Sequence, residues 1–180
     1  MLTLDFSTFP ILETERLLLR AMTPKDVPAL FELRTDPLVN RYIDRLPTAE
    51  PEDAQRFIEK IGTGIHENLW IYWAITEKGD DRLIGTICLW NFVPTDHKAE
   101  LGYELRTASQ GKGFMSEAVA AVLAYGFGTL ELEAVEAGVH PMNAPSVKVL
   151  RRAGFTLIGT FQDTHLNGEA VEMLIYEKKQ

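Results

Sequence analysis

The chain has 180 residues, 46% of them hydrophobic and 24% charged, which favours one globular domain over residues 1–180 that needs neither disulfides nor metals for stability. Its formal net charge of −8 argues against general nucleic-acid binding. It contains no run of about 18 apolar residues and no basic leader followed by an apolar core, so we expect no membrane partner and a cytoplasmic location.

The chain opens with one predicted strand and two predicted helices. The stretch TERLLLRAM has the alternation of a strand and ends at Thr23 and Pro24. A helix follows, because Thr23 can cap it and proline suits the first helical position. A second helix is expected from Pro51, where acidic residues occupy the first turn and apolar residues then recur at helical spacing.

Three consecutive strands are predicted in the middle of the chain. The segments NLWIYWAITE, RLIGTICLWNFV and KAELGYELRT are rich in aromatic and β-branched residues, and the turn sequences KGDD and PTDH separate them. Strands joined by short turns pair in opposite directions, so we expect an antiparallel meander.

A loop with two glycines follows the third of these strands. The segment SQGKGFMSEA places Gly111 and Gly113 directly before a helical stripe that continues to about Gly128. The remaining segments predict a strand in EAVEAGVH, a short helix in NAPSVKVLRRAG with Asn143 as its cap, and a final hairpin. The order β, α, α, β, β, β, α, β, α, β, β predicts a mixed α/β fold of the α+β type.

The segment at residues 109–116 has the features of an anion-binding site. Glycines let the backbone turn tightly beside a ligand, and the first N–H groups of the following helix have no partner within it. No segment matches the glycine-lysine pattern of a P-loop. A dinucleotide fingerprint is nearly matched, with Ser116 at its third position, which keeps a nucleotide-binding oxidoreductase as an alternative. A plain turn into a helix is the other alternative.

This segment resembles the pyrophosphate loop of the GNAT superfamily of acetyl-coenzyme A dependent N-acetyltransferases, whose pattern is Q/R-x-x-G-x-G/A. The match runs from Gln110 to Met115, and Met115 departs from the Gly or Ala of the last position. Three longer segments resemble the branch that acetylates the N-termini of ribosomal proteins: LETERLLLRAMTPKDVPAL, AELGYELRTASQGKGFMSEAV and HPMNAPSVKVLRRAGF. The resemblance extends from about residue 12 to residue 178.

The resemblance implies a fold and a cosubstrate. The expected fold is a mixed, mostly antiparallel sheet of about seven strands, flanked by about four helices and splayed where the strand at 98–106 parts from the strand at 133–140. The expected cosubstrate is acetyl-CoA, with its pantetheine arm in the gap and its pyrophosphate on the loop. The resemblance assigns its binding to Leu105, Thr107, Gln110, Gly111, Lys112, Gly113, Phe114, Met115, Ser116, Asn143 and Ser146.

The resemblance also implies a catalytic base for the acceptor amine. Glu100 matches the glutamate before the L-G-Y element of the branch, and strand alternation places Glu104 on the same face. Glu104 is the second candidate and Glu136, on the next strand, is the third. A solvated strand face with alternating charges is the alternative for all three.

A proton donor for the departing thiolate is implied at Ser146. Many superfamily members carry a tyrosine acid seven residues after the asparagine, and this chain has Leu150 there. The serine of the N-x-x-S element is the suggested donor in this branch, and Asn143 is expected to hold the pantetheine or the amine. Helix capping is the alternative role of both residues.

We therefore expect an acetyl-CoA-dependent N-acetyltransferase whose acceptor is the N-terminal α-amine of a ribosomal or other protein. At pH 7 an α-amine costs about 1 kcal/mol to deprotonate and a lysine amine about 4.6 kcal/mol, so the α-amine asks less of the protein. A small amine (a polyamine, an amino acid or an antibiotic) is the alternative acceptor, and a catalytically silent coenzyme A binding protein is the alternative function. The sequence leaves open whether the chain also forms a homodimer. The four histidines lack metal-ligand spacing, so no metal site is expected.

Overall fold

A computed structural model describes residues 2–180, which form eight strands and five α-helices. The strands are β1 (Leu12–Glu13), β2 (Leu17–Arg20), β3 (Ile71–Glu77), β4 (Leu83–Val93), β5 (Lys98–Leu105), β6 (Ala134–Val139), β7 (Thr156–Thr164) and β8 (Ala170–Lys179). The helices are α1 (Val27–Thr35), α2 (Pro37–Asn40), α3 (Pro51–His66), α4 (Phe114–Gly128) and α5 (Ala144–Arg152).

All eight strands join one sheet in the order β1-β2-β3-β4-β5-β6-β8-β7. Neighbouring strands are antiparallel except β5 and β6, which run parallel. This parallel pair is short, because it joins only residues 98–100 to residues 134–136 before the two strands separate. The sheet therefore opens between the C-terminal halves of β5 and β6.

Different helices cover the two faces of the sheet, as the alternating side chains of the central strands show. Ala99, Leu101 and Leu105 of β5 belong to the larger hydrophobic core, which also contains the apolar side chains of α4. Helices α1 and α3 pack around a smaller core with Ala74 of β3. Ala74 lies in register with Thr86 of β4, and Thr86 with Glu104 of β5, so α1 and α3 cover the face that carries Glu104.

The fold expected from the sequence is confirmed, with two small differences. The structure adds the two-residue strand β1 and the four-residue helix α2, which are too short to produce a periodic signal. The antiparallel meander, the splayed parallel pair and the final hairpin are all present. Within residues 2–180, no helix combines the length and the apolar character needed to cross a membrane.

Candidate active site

A cavity of about 490 Å³ occupies the gap between β5 and β6. Both faces of β5 contribute to its walls: Leu101 and Tyr103 from the side of α4, and Glu100 and Glu104 from the side of α3. The cavity therefore passes through the sheet. Its volume is in the range of small-molecule binding sites, and its two sides can receive two different ligands.

Glu100, the first candidate for the base, lines this cavity. Its Oε2 accepts one long hydrogen bond of 3.4 Å from Asn91 Nδ2, and no lysine or arginine in the described part of the chain forms an ion pair with it. Burial raises the pKa of Glu100 above its ordinary value; the Asn91 bond opposes this effect, and the charge of Glu136 adds to it. A carboxylate with a raised pKa beside open space is suited to accept a proton from a ligand.

Asn91 reaches Glu100 because β4 is irregular at this point. The register between β4 and β5 shifts between Trp90 and Val93, which is the signature of a bulge. Asn91 has a φ of 47°, in the left-handed region that asparagine tolerates better than most residues. The contact of Asn91 with Glu100 has no signal in the sequence, since a bulge leaves no periodic pattern.

Glu104, the second candidate, lies on the same face of β5 but is ion-paired. Its Oε2 is 2.7 Å from Arg45 Nη1, and its Oε1 is 3.9 Å from Arg34 Nη1. The Glu104 side chain is almost completely buried, and Arg45 is itself held by the side-chain oxygen of Asn40. Because arginines already face both oxygens of Glu104, this carboxylate is less suited than Glu100 to take a proton from a ligand.

Glu136, the third candidate, is not part of the cavity wall. Its Oε1 is 2.9 Å from Lys98 Nζ, which also contacts Glu177 at 3.2 Å. Glu136 lies beside Glu100 in the short parallel pairing of β5 and β6. Its charge therefore acts on Glu100 and not directly on a ligand in the gap.

Ser146 lies across the gap, at the start of α5. Its Oγ is 2.8 Å from the hydroxyl of Tyr103, and both residues line the cavity. Burial raises the pKa of Tyr103 to about 12, with the hydrogen bond to Ser146 opposing this shift. Sequence reasoning missed Tyr103, because an aromatic residue on a strand usually belongs to the core.

Asn143 caps α5 and also lies at the cavity wall. Its Oδ1 accepts a hydrogen bond of 3.2 Å from the Ser146 N–H, so it caps α5. It also lines the cavity. The cap fixes Ser146 at the cavity wall, while Leu150, at the position where the resemblance implies a tyrosine in many superfamily members, is buried and apolar.

The backbone of β5 is open towards the gap. The Arg106 N–H donates to the Ile84 carbonyl at 2.8 Å, so the even-numbered residues of β5 direct their backbone groups to β4. The odd-numbered residues, Tyr103 and Leu105 among them, direct theirs to the other side. Since β6 pairs with β5 only as far as residue 100, these later groups face the gap.

Two expected coenzyme positions, Thr107 and Gln110, fix the end of β5 to the following glycine loop (residues 106–113). Gln110 Nε2 donates to the Leu105 carbonyl at 3.0 Å. Thr107 lies in a 3₁₀ turn, where its carbonyl accepts from the Gln110 N–H at 3.2 Å and its hydroxyl donates to Asp36 at 2.7 Å. These side chains therefore hold the glycine loop in place.

The glycine loop leads into the N-terminus of α4, where backbone amides have no partner within the helix. Gly111 and Gly113 have φ values of 76° and 82°, which residues with a side chain rarely adopt. The first bond of α4 runs from the Glu117 N–H to the Gly113 carbonyl at 3.1 Å, so the N–H groups of residues 114–116 have no partner within the helix. Together with the helix dipole they form a site for an anion.

The side chains around these amides point in different directions. Phe114 and Met115 are buried in the larger core, so the departure at Met115 from the Gly or Ala of the pattern places its side chain away from the loop. Ser116 is partly exposed. Lys112, within the loop, is exposed, and its Nζ is 5.9 Å from the centre of the Phe114 ring.

Two further kinds of chemistry would need particular side chains, either a cluster of metal ligands or a reactive thiol. In the part of the chain that the structure describes, no group of three or more His, Cys, Asp or Glu side chains is arranged to hold a metal ion. Cys88 lines the cavity, but burial raises the pKa of its thiol to about 12. It therefore remains a protonated thiol and not a nucleophile.

Comparison with known proteins identifies relatives over most of the chain. Residues 16–156 match the family model of the acetyltransferase (GNAT) domain. The uncharacterized N-acetyltransferase p20 of Bacillus licheniformis is 37% identical over 153 residues, which cover 84% of this chain and 85% of that protein. The uncharacterized N-acetyltransferase YoaA of Bacillus subtilis is 33% identical over 169 residues, which cover 93% of this chain and 96% of that protein.

Solved structures with the same fold include two with bound coenzyme. An acetyltransferase of the GNAT family from Bacillus anthracis has a TM-score of 0.83 at 27% identity, covering 94% of this chain and 98% of that one. A ribosomal L7/L12 α-N-protein acetyltransferase in complex with coenzyme A has a TM-score of 0.84 at 23% identity (94% and 98% covered). The microcin C7 self-immunity acetyltransferase MccE, in complex with acetyl-CoA and AMP, has a TM-score of 0.82 at 22% identity (93% and 94% covered).

Proposed function

This chain belongs to the GNAT family of acetyltransferases, and from that premise we propose that it transfers the acetyl group of acetyl-CoA to the N-terminal α-amine of a protein. The proposal rests on the cavity in the gap between β5 and β6. An unpaired carboxylate, Glu100, lies on one side of it, and a hydroxyl pair, Ser146 and Tyr103, lies on the other. The glycine loop follows β5 directly.

Acetyl-CoA suits the side of the gap that faces α4. The amides of residues 114–116 and the nearby Lys112 suit its pyrophosphate. The backbone groups of Tyr103 and the N–H of Leu105 face the gap and suit an extended pantetheine arm, whose amides can pair with them as an added strand does. The likeness to structures in complex with coenzyme A and acetyl-CoA supports this assignment.

Glu100 acts as the base in this proposal. An amine attacks a thioester carbonyl only in its neutral form, and the proton it carries must be removed. Burial increases the proton affinity of Glu100, so its carboxylate accepts this proton directly or through one water molecule. Glu104 does not replace it, because Arg45 and Arg34 hold that carboxylate.

Ser146 and Tyr103 supply the proton that the thiolate takes up when the carbon–sulfur bond breaks. The Ser146 Oγ lines the cavity, and its hydrogen bond of 2.8 Å to Tyr103 lets it give one proton to the thiolate and regain another from the phenol, which then takes a proton from water. A phenol is a stronger acid than an alkyl hydroxyl. The pair thus takes the place of the tyrosine acid that is missing at Leu150.

The charges around the cavity favour an acceptor with a single positive charge. Glu100 and Glu104 both line the cavity, but Arg45 neutralises Glu104. Among the described residues, Glu100 is then the one carboxylate of the wall without an ion-pair partner, and Lys60 also lines the cavity, so the wall lacks the several free negative charges that a polyamine needs. A small amine with one charge is the second candidate, because a volume of about 490 Å³ is typical of small-molecule sites.

Release of the coenzyme A thiol over a panel of peptides, amino acids and polyamines tests the proposal. Peptides with a free N-terminus should release thiol, and N-terminally blocked peptides of the same sequence should not. Thiol release from small amines alone would establish the second candidate. Binding of coenzyme A without thiol release from any amine would indicate a binding protein without catalytic activity.

Variants of the hydroxyl pair test the proton donor. Ser146→Ala should lower kcat by about a hundredfold or more, with a smaller effect on the KM for acetyl-CoA. Tyr103→Phe removes only the phenol oxygen and should lower kcat less, since Ser146 remains at the cavity wall. An unchanged kcat in Ser146→Ala would contradict its role as the donor.

A further inference from the structure

The stretch TERLLLRAM contains an arginine to which the proposed reaction gives no role. Arg16 lies between β1 and β2, yet its side chain crosses to the glycine loop, where its Nη1 donates to the Lys112 carbonyl at 2.9 Å. Its Nη2 is 3.4 Å from the position that a Cβ on Gly113 would occupy. Arg16 therefore lies directly against the loop and the start of α4.

Glu117, in the first turn of α4, is the ionic partner of Arg16. Its Oε1 accepts hydrogen bonds from the Arg16 backbone N–H at 2.8 Å and from the Thr14 hydroxyl, and its Oε2 accepts from Arg16 Nε at 2.7 Å. Burial alone would raise the pKa of Glu117, but the hydrogen bonds from Thr14 and Arg16 bring it below its ordinary value. Glu117 therefore carries a negative charge beside the proposed pyrophosphate site.

A negative charge at this place opposes the binding of a diphosphate unless a cation cancels it. Arg16 provides that cation, because its Nη2 is 2.6 Å from Glu117 Oε2. The Arg16 guanidinium carbon also lies over the Phe114 ring, 4.8 Å from its centre, a cation–π contact that helps to hold the side chain there.

Arg16 retains hydrogen-bonding capacity after these contacts. A guanidinium has five N–H groups, and within residues 2–180 three of them are engaged: one at Nε, one at Nη1 and one at Nη2. Two N–H groups remain, on a side chain that is 44% exposed. Arginine is well suited to phosphate oxygens, which accept from two of its N–H groups at once.

We infer that Arg16 contacts the diphosphate of acetyl-CoA through its two remaining N–H groups and cancels the charge of Glu117 at that site. The inference rests on the proposed function. It adds Arg16, from the segment between β1 and β2, to a pyrophosphate site that the resemblance places at residues 110–116.

Calorimetric titration with coenzyme A measures this contact without requiring turnover. Arg16→Ala should raise the Kd about ten- to a hundredfold, which is the range expected for a hydrogen bond to a charged group. Arg16→Lys keeps the charge but loses the planar guanidinium, so its Kd should lie between those of Arg16→Ala and the parent. Arg56→Ala is the matched control, because Arg56 forms a surface ion pair with Asp53 within α3 and not with a residue of the loop.

A donor without the diphosphate shows whether the effect belongs to that group. With acetyl-pantetheine in place of acetyl-CoA, the KM of Arg16→Ala should equal that of the parent, and kcat should be unchanged with either donor. Glu117→Gln should bind coenzyme A as tightly as the parent or more tightly, because it removes only a negative charge. Combining it with Arg16→Ala should restore part of the lost affinity.

Each contrary result has a distinct meaning. An equal rise in KM for both donors, or an equal loss of affinity in Arg16→Ala and Glu117→Gln, would show that the ion pair only braces the loop and would overturn the phosphate contact. Unchanged binding in Arg16→Ala would overturn it as well. Failure of the parent to bind coenzyme A would instead contradict the proposed function. If Arg16→Ala does not fold, as checked by thermal unfolding, Arg16→Lys and Glu117→Gln carry the same test.

Discussion

Two glutamates on one face of β5 have opposite surroundings. Glu104 lies where α1 and the segment before α3 cover the sheet, and Arg45 and Arg34 reach its oxygens at 2.7 and 3.9 Å. Glu100 lies where the sheet opens, with a single hydrogen bond of 3.4 Å from Asn91. The place where β6 leaves β5, and not the type of residue, decides which carboxylate is available to a ligand.

Both carboxylates are removed from water, which disfavours their charged form. Within residues 2–180, only Glu104 has neighbouring arginines that offset this cost. A buried ion pair that loses one partner leaves an unpaired charge, which costs about 3–5 kcal/mol of stability. A buried carboxylate without a cation instead binds its proton more tightly. Substitutions at the two positions should therefore separate activity from stability.

Glu100→Gln should produce the largest change, and that change should be in activity. Because the substitution removes the proposed base, kcat/KM for the acceptor amine should fall about 10²- to 10⁴-fold. The free energy of unfolding at neutral pH should be equal or higher, because a charge that burial disfavours is replaced by a neutral amide. Thiol-release kinetics and urea unfolding of the same preparation measure both quantities. A large loss of stability would contradict the contrast with Glu104.

Glu104→Gln should show the reverse pattern. Arg45 and Arg34 lose their counter-charge, so the free energy of unfolding should fall by about 3 kcal/mol, as measured by urea unfolding. The double variant with Arg45→Met should recover part of this loss, because it also removes one of the unpaired cations. A collapse of kcat/KM with full stability would move the role of base from Glu100 to Glu104.

The sequence predicts the shared face of these glutamates but not their difference. Strand alternation places Glu100 and Glu104 together, because the period of two is a local property of the backbone. Arg45, which separates their roles, lies in an irregular segment some sixty positions earlier, where no periodic pattern indicates what it contacts. The ion pair exists only after α1 and α3 have packed on the sheet.

The same limit applies to the rest of the candidate site. The glycine loop, the cap at Asn143 and the order of elements follow from short-range patterns, and the structure places them as expected. The contact of Tyr103 with Ser146 and that of Arg16 with Glu117 join segments 43 and 101 positions apart. Such pairs depend on the folded topology, which propensity and spacing do not contain.

The pH dependence of activity and stability should reflect the raised pKa of Glu100. As the pH falls through a value above the ordinary pKa of glutamate, the base becomes protonated and kcat/KM should decrease. The contribution of Glu100 to stability is complete below its unfolded pKa and is lost as the pH rises through the higher folded pKa. The stability of Glu100→Gln relative to the parent should therefore increase with pH across this window. A difference that does not change with pH would contradict the raised pKa.

Asn91→Ala should give the smallest effect, and it tests whether the Asn91 hydrogen bond limits the rise in the pKa of Glu100. Its hydrogen bond opposes the effect of burial, so its removal should shift the acid limb of the kcat/KM profile to higher pH. The high-pH plateau should change by less than about threefold, because a bond of 3.4 Å is weak. Asn68→Ala is the matched control, since Asn68 also has a left-handed φ, of 58°, but accepts from the Phe6 N–H and does not line the cavity. If both variants shifted the profile alike, backbone strain at the substituted asparagine would be the cause, and the pKa of Glu100 would depend on burial and Glu136 alone.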